Sequence, residues 1–162
     1  MTTAAIGPVR QTQRFPRWLL RVPELVFVLH LGRLVPSLAM VVTTGRRTGK
    51  ARRVVLDVAR IDAHGLWVLA ADGRHARWVM NLLADPSCEV RHRGRRFAAR
   101  ATISESDPGD LAVGIFRDRP FYTKLVYLAI GERIHTASDV RRLSVGAVPV
   151  YLQETPQGPR DR

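Results

Sequence analysis

Two runs with a two-residue period, joined by a short basic turn, constrain this chain more than any other feature. Ser37 to Thr44 is rich in valine and threonine, which favour extended backbone. In Arg52 to Ile61, Val54, Leu56 and Val58 alternate with Arg53, Val55 and Asp57. Successive strand side chains point to opposite faces, so such a run offers one face to a core and one outward. Between the runs, Gly45 to Ala51 is polar and holds two glycines, a turn signature.

The rest of the chain continues in short pieces. Asp62 to Gly65 reads as a tight turn into a third strand, Leu66 to Ala71. Asp72-Gly73 ends that strand and is placed to cap a helix from His75 to Ala84, which Asp85-Pro86 stops. Glu89 to Arg93 and Arg96 to Ile103 read as a hairpin around Arg93-Gly94-Arg95. Helical stretches are expected from Pro108 to Arg117 and from Tyr122 to Ile130, before a last strand from Ala147 to Gln153. Six short strands with two or three helices suit a closed β-barrel with helices, an α+β fold. The expected organisation is a disordered lead over 1–13, one domain over 14–155 and a polar tail over 156–162.

Upstream of the strands, Trp18, Leu19, Val22, Leu25, Val26, Leu29 and Arg33 follow helical spacing between Pro16 and Leu34. Pro23 should kink or split that helix. Arg10, Arg14, Arg17 and Arg21 crowd its front end, so it suits either a cover for the barrel or a contact with an anionic membrane surface. Covering the barrel is the favoured reading, because a small barrel needs a helix to close its core. The apolar stretch Leu25 to Val42 contains His30, Arg33 and Pro36, which argues against a spanning helix. No secretory cleavage pattern is present. The expected location is the cytoplasm, with peripheral contact at the inner face of the cell membrane.

The 162 residues carry a formal charge of +12, nearly all from arginine, since Lys50 and Lys124 are the only lysines. Such an excess points to an anionic partner or to a solvated basic surface. Cys88 is the only cysteine, which excludes an internal disulfide and a cysteine-based metal site. No nucleophile elbow, zinc-protease motif or paired His–Cys spacing is found. His64, His75, His92 and His135 are expected on the surface or in loops.

The charge is sharpest in Thr43-Thr44-Gly45-Arg46-Arg47-Thr48-Gly49-Lys50-Ala51-Arg52-Arg53, where basic side chains cluster without an acid. Glycines let the backbone turn tightly and aim N–H groups at one point, and Thr44 and Thr48 add hydroxyls. The combination suits a phosphate or carboxylate. It is not a Walker loop: the glycine spacing is one residue short, and Ala51 stands where a magnesium-binding hydroxyl belongs. Further on, Ala70-Ala71-Asp72-Gly73 ends a strand and opens a helix, whose N-terminus favours an anion. His75, Trp78 and Asn81 lie three apart on that helix, with Trp78 suited to packing on a planar ring or in the core.

These two segments, with Arg77-Trp78-Val79-Met80-Asn81-Leu82-Leu83-Ala84-Asp85-Pro86, resemble the deazaflavin-dependent nitroreductase family over about residues 40–103. That family's pattern is approximately T-T-G-R-K-[ST]-G-x-P-R, then W-Y-x-N-L-x-A-N-P. The resemblance implies a split β-barrel, FMN-binding-like fold, coenzyme F420 and reduction of quinones, nitroaromatics or similar acceptors. It implies that Arg46, Arg47 and Thr48 hold the coenzyme's phosphate and acidic tail, and that Arg52 adds a basic contact. By the same resemblance Arg53, Val54, Val55, Leu56 and Asp57 line the deazaflavin. Ala70, Ala71 and Asp72 stand beside its ring, and Arg77, Trp78 and Asn81 close the site. Tyr122 and Tyr127 are the candidates for the substrate pocket. Ala51 replaces the family's proline, and Asp72-Gly73 replaces a typical Ser-Lys, which removes one expected cation. The expected partner is a small-molecule hydride acceptor, and the expected assembly a monomer or homodimer.

Two other classes compete. One is a split-barrel protein binding FMN or haem. The other is a non-enzymatic lipid- or nucleic-acid-binding module built on Arg91, Arg93, Arg95, Arg96 and Arg100. Nucleic-acid binders usually interleave aromatic residues for stacking, and Phe97 is the only aromatic in that hairpin, so this reading ranks last.

Overall fold

A computed structural model describes residues 36–129 and 131–156. The expected lead over 1–13, the helix between Pro16 and Leu34, its membrane contact and most of the polar tail lie outside these residues.

Six antiparallel strands close into a barrel: β1 (Leu38–Thr44), β2 (Ala51–Ile61), β3 (Gly65–Ala70), β4 (Ser87–His92), β5 (Arg95–Ile103) and β6 (Val148–Glu154). Their order around the barrel is β1-β2-β3-β6-β5-β4. The last strand therefore sits between β3 and β5. The register follows the period-two pattern: Val41 pairs with Val54 and Ala39 with Leu56. These residues share the inner face with Val58, Leu66, Val68, Val90, Phe97, Val150 and Leu152. Between β4 and β5 the turn is Arg93-Gly94, with φ of 49° and 77°, the left-handed pair that suits a two-residue hairpin.

Four α-helices accompany the barrel among the described residues. The first, α1 (Arg77–Ala84), contributes the buried Val79 and Leu82 to the barrel core. It begins later than its sequence suggests. Gly73–His75 forms a 3-10 turn, and Asp72 makes no side-chain cap. At Gly73, φ is +60° and a Cβ would lie 2.5 Å from the Gly146 carbonyl oxygen. The chain must therefore pass this point without a side chain before the helix can start.

Between β5 and β6 the chain leaves the barrel and builds α2 (Gly109–Asp118), α3 (Pro120–Ala129) and α4 (Ala137–Leu143). Ala112, Ile134 and Val140 form a second core there, with Leu69 of β3 packed against it. The helix α4 was absent from the sequence-based expectation. Its start is marked by a capping box in which Thr136 accepts from the Asp139 backbone and Asp139 accepts in return. His92 also differs from expectation: it is buried in β4, with Nδ1 3.0 Å from the Leu38 carbonyl. A carbonyl only accepts, so Nδ1 carries the proton. Burial pushes its pKa down, with the Arg93 charge adding to the effect.

Candidate functional site

A cavity of about 690 Å³ lies between the barrel wall and the helical layer. Its barrel side is formed by Val54, Val55, Leu56 and Asp57 of β2, with Leu69 and Ala71 at the end of β3. Asp72, His75, Arg77 and Trp78 form one end. The opposite wall comes from α2 and α3 through Ala112, Ile115, Tyr122, Thr123, Val126 and Tyr127, with Val140 and Leu143 behind. Most of these side chains are apolar, as in sites that hold a flat organic ligand. Trp78 is half-buried and packs against the barrel core while lining the cavity.

The polar feature of this wall is a three-residue network. Asp57 accepts from Arg119 Nη1 at 3.0 Å and from the Tyr122 hydroxyl at 3.0 Å. Arg119 Nη2 donates to the Val58 carbonyl at 2.9 Å, and its guanidinium lies 5.7 Å from the Tyr122 ring centre. Burial raises the Asp57 pKa in spite of both partners. Burial, and then the adjacent carboxylate, raises that of Tyr122. Tyr122 therefore stays protonated at neutral pH. Sequence reasoning missed Arg119, as it missed the lining residues Leu69, Ile115, Thr123 and Val126. The partner of Arg119 is 62 positions away, and no local pattern marks it.

The basic turn stands at the other end of β2. Arg52 and Val55 are three residues apart, about 10 Å along a strand. The turn's backbone closes on itself: Gly45 donates to the Lys50 carbonyl, while Thr48 and Gly49 donate to the Gly45 carbonyl. Gly49 permits this with φ of +66°. The Arg46 N–H is directed to Asn81 Oδ1 at 3.3 Å, and the Lys50 N–H to Thr48 Oγ1 at 3.4 Å. The expected nest of convergent N–H groups is therefore not formed. The turn offers side-chain cations instead. Arg46, Arg47, Lys50, Arg52 and Arg53 are all exposed, and among the described residues none forms an ion pair with a carboxylate. Three of the hairpin arginines behave differently: Arg91 and Arg96 pair with Glu89 at 2.8 and 2.5 Å, and Arg95 pairs with Glu154 at 2.9 Å.

The cavity brings together Val54, Val55, Leu56, Asp57, Ala71, Asp72, Arg77, Trp78, Tyr122 and Tyr127 from the sequence-derived set. Arg46, Arg47, Thr48, Arg52 and Arg53 gather at the turn. Two residues are placed elsewhere. Ala70 is 1% exposed and faces the barrel core. Asn81 is buried, and its amide faces β1 and the turn: Oδ1 accepts from the backbone and guanidinium of Arg46, and Nδ2 donates to Thr43 Oγ1 at 3.1 Å. Asn81 acts on the site through Arg46. Among the described residues no acidic, histidine or cysteine cluster suits a metal ion, and no helix is long and apolar enough to cross a membrane.

Residues 26–121 match the sequence model of the F420H(2)-dependent quinone reductases. The chain belongs to this family. It is an oxidoreductase family dependent on the reduced deazaflavin coenzyme F420. The arrangement described above fits that group: an apolar slot for a flat ring, and exposed cations on the same strand for an anionic tail. Solved structures are similar over most of the chain. Conserved protein Rv2991 of Mycobacterium tuberculosis is 15% identical, with a TM-score of 0.53 over 78% of this chain and 79% of that one. An F420-H2 dependent reductase, FDR-A, is 19% identical, with a TM-score of 0.44 over 73% and 94%. The haem storage protein HutZ of Vibrio cholerae is 16% identical, with a TM-score of 0.49 over 81% and 89%. No curated protein sequence matches.

Proposed function

We propose that this chain reduces a quinone or another planar, unsaturated acceptor within the cavity between β2 and α3, using coenzyme F420. The observation that carries the reading is a continuous strand with two chemistries. Its first residues and the turn before them present cations without carboxylate partners. Its middle residues form the wall of an apolar cavity. A cofactor with a flat ring and an anionic tail matches both ends at once.

The bound reduced coenzyme supplies the hydride. Arg47 and Arg52 hold the anionic tail by charge-assisted hydrogen bonds. Val54, Leu56 and Trp78 exclude water from the ring. Tyr122, kept protonated by burial and by Asp57, faces the acceptor's side and orients an acceptor oxygen. Arg119 positions Asp57, and Asp57 positions the Tyr122 hydroxyl. The two-electron balance requires one proton to follow the hydride onto the acceptor oxygen. The Tyr122 hydroxyl, which donates to Asp57, would give that proton by turning to the acceptor oxygen, and solvent would restore it.

Equilibrium titration with oxidised F420 and with FMN tests the cofactor. F420 should bind more tightly, because its tail reaches the turn. FMN binding equally well would defeat the assignment. Steady-state assays with a soluble quinone and with a nitroaromatic, each against the reduced coenzyme, then test the acceptor. The quinone should give the higher kcat/KM.

A further inference from the structure

The helix α3 is apolar on more than one side. Thr123, Val126 and Tyr127 face the cavity. On the other side Phe121, Leu125 and Leu128 recur at four- and three-residue intervals, with exposures of 81%, 55% and 56%. Residues spaced in this way share one helix face. A helix with apolar residues on both sides is normally covered, and a continuous exposed apolar stripe marks a contact surface.

The start of the described chain lies at the foot of this stripe. The Ser37 carbonyl accepts from the Val58 N–H at 2.8 Å. Arg119, just before α3, donates to the Val58 carbonyl, and Tyr122 in its first turn donates to Asp57. Residues 57 and 58 thus anchor both the incoming chain and the first turn of α3. The segment just before them, Pro16 to Leu34, carries Trp18, Leu19, Val22, Leu25, Val26 and Leu29 at complementary spacing. The family match begins inside that segment, at residue 26. Its one acid, Glu24, has Lys124 beside the stripe as an opposite charge. A segment tethered this close meets the stripe at an effective concentration on the order of millimolar.

We infer that the segment Pro16–Leu34 docks on the Phe121–Leu125–Leu128 face of α3 in the same molecule and covers the outer side of the cavity wall. The inference stands apart from the identity of the cofactor or acceptor.

Limited trypsin digestion of the full chain tests it, read by mass spectrometry as the rate of cutting after Arg21 and Arg33. These rates are compared with those of the double variant Leu125→Asp/Leu128→Asp and of Lys124→Gln, which keeps the stripe intact. Both leucines are more than half exposed, so the double variant should fold, and its cutting after Arg100 within β5 monitors the barrel. Cutting of an open form tracks its population when closing is fast. The double variant should therefore be cut after Arg21 and Arg33 about tenfold faster than the native chain, with the Arg100 rate unchanged. Lys124→Gln should stay within about twofold of native. Equal rates in native chain and double variant would overturn the proposal. Protection that grows with protein concentration would also overturn it and assign the stripe to a second copy. Protection seen only with anionic vesicles would overturn it in favour of a bilayer.

Discussion

Asn81 commits both ends of its side-chain amide to neighbours inside the protein, and this fixes how the basic turn is held. One oxygen receives the Arg46 backbone and guanidinium, and the nitrogen reaches Thr43. The turn is thus pinned to α1, while Arg47 and Arg52 remain exposed for an anion. If these two guanidinium groups meet the coenzyme tail, Arg47→Ala and Arg52→Ala should each weaken F420 binding by about 1–3 kcal/mol. The melting temperature should hardly change, because exposed substitutions usually stay within about 0.5 kcal/mol. Arg93→Ala, in the β4–β5 turn, removes the same charge at the opposite end of β1 from the basic turn and should leave affinity unchanged. Equal losses from all three, measured by titration, would mean that a general basic field does the binding.

The helix α4 shows what a short element needs. Its seven residues are too few to form alone, so the cap and the second core must hold it. Thr136→Ala should lower stability by about 1 kcal/mol in urea melts. Asp139 adds a pH signature. Backbone N–H groups of His135 and Thr136, and then the Thr136 hydroxyl, hold its pKa at about 2, against 3.8 for a free side chain. The folded state thus takes up this proton less readily than the unfolded one. The stabilisation is present above pH 3.8 and fades as pH falls towards 2. The Tm gap between the native chain and Asp139→Asn should close over that window. A gap that stays constant with pH would remove Asp139 from the cap.

The same helix marks the limit of what local pattern reveals. Strands with clear alternation, such as Val54-Val55-Leu56-Asp57-Val58, were legible because period and partner agree. The Arg93-Gly94 turn was legible because few residue pairs tolerate two positive φ values. Helix α4 was not, because its cap uses aspartate where glutamate is the usual signal and only Val140 in it is fully buried. Arg119 was not, because its meaning comes from Asp57 on a distant strand. Ala70 and Asn81 were placed in the site by motif position, which cannot tell a side chain that touches a ligand from one that faces the core.

At the scale of the whole molecule, the barrel and the helical excursion over residues 104–147 have separate cores that meet at one cavity. The barrel wall and its turn are suited to holding the coenzyme, and α3 to meeting the acceptor. Tyr122→Phe separates the two tasks. It removes one hydroxyl from α3, away from the basic turn proposed to hold the coenzyme tail. The coenzyme Kd should shift by no more than about 0.5 kcal/mol, while kcat should fall about 10²-fold, the scale of a lost proton donor. Loss of both in parallel, from stopped-flow and titration, would show that Tyr122 holds the coenzyme itself.

The place of β6 between β3 and β5 has a consequence for biosynthesis. Until Val148 to Glu154 have left the ribosome, β3 and β5 each present an unpaired edge, and the barrel stays open between them. A nascent chain therefore cannot complete the barrel before β6 emerges. Pairings as distant as Gly65 with Gln153 place this among the slower-folding topologies. The exposed edges make the interval before closure the one in which aggregation is most readily seeded.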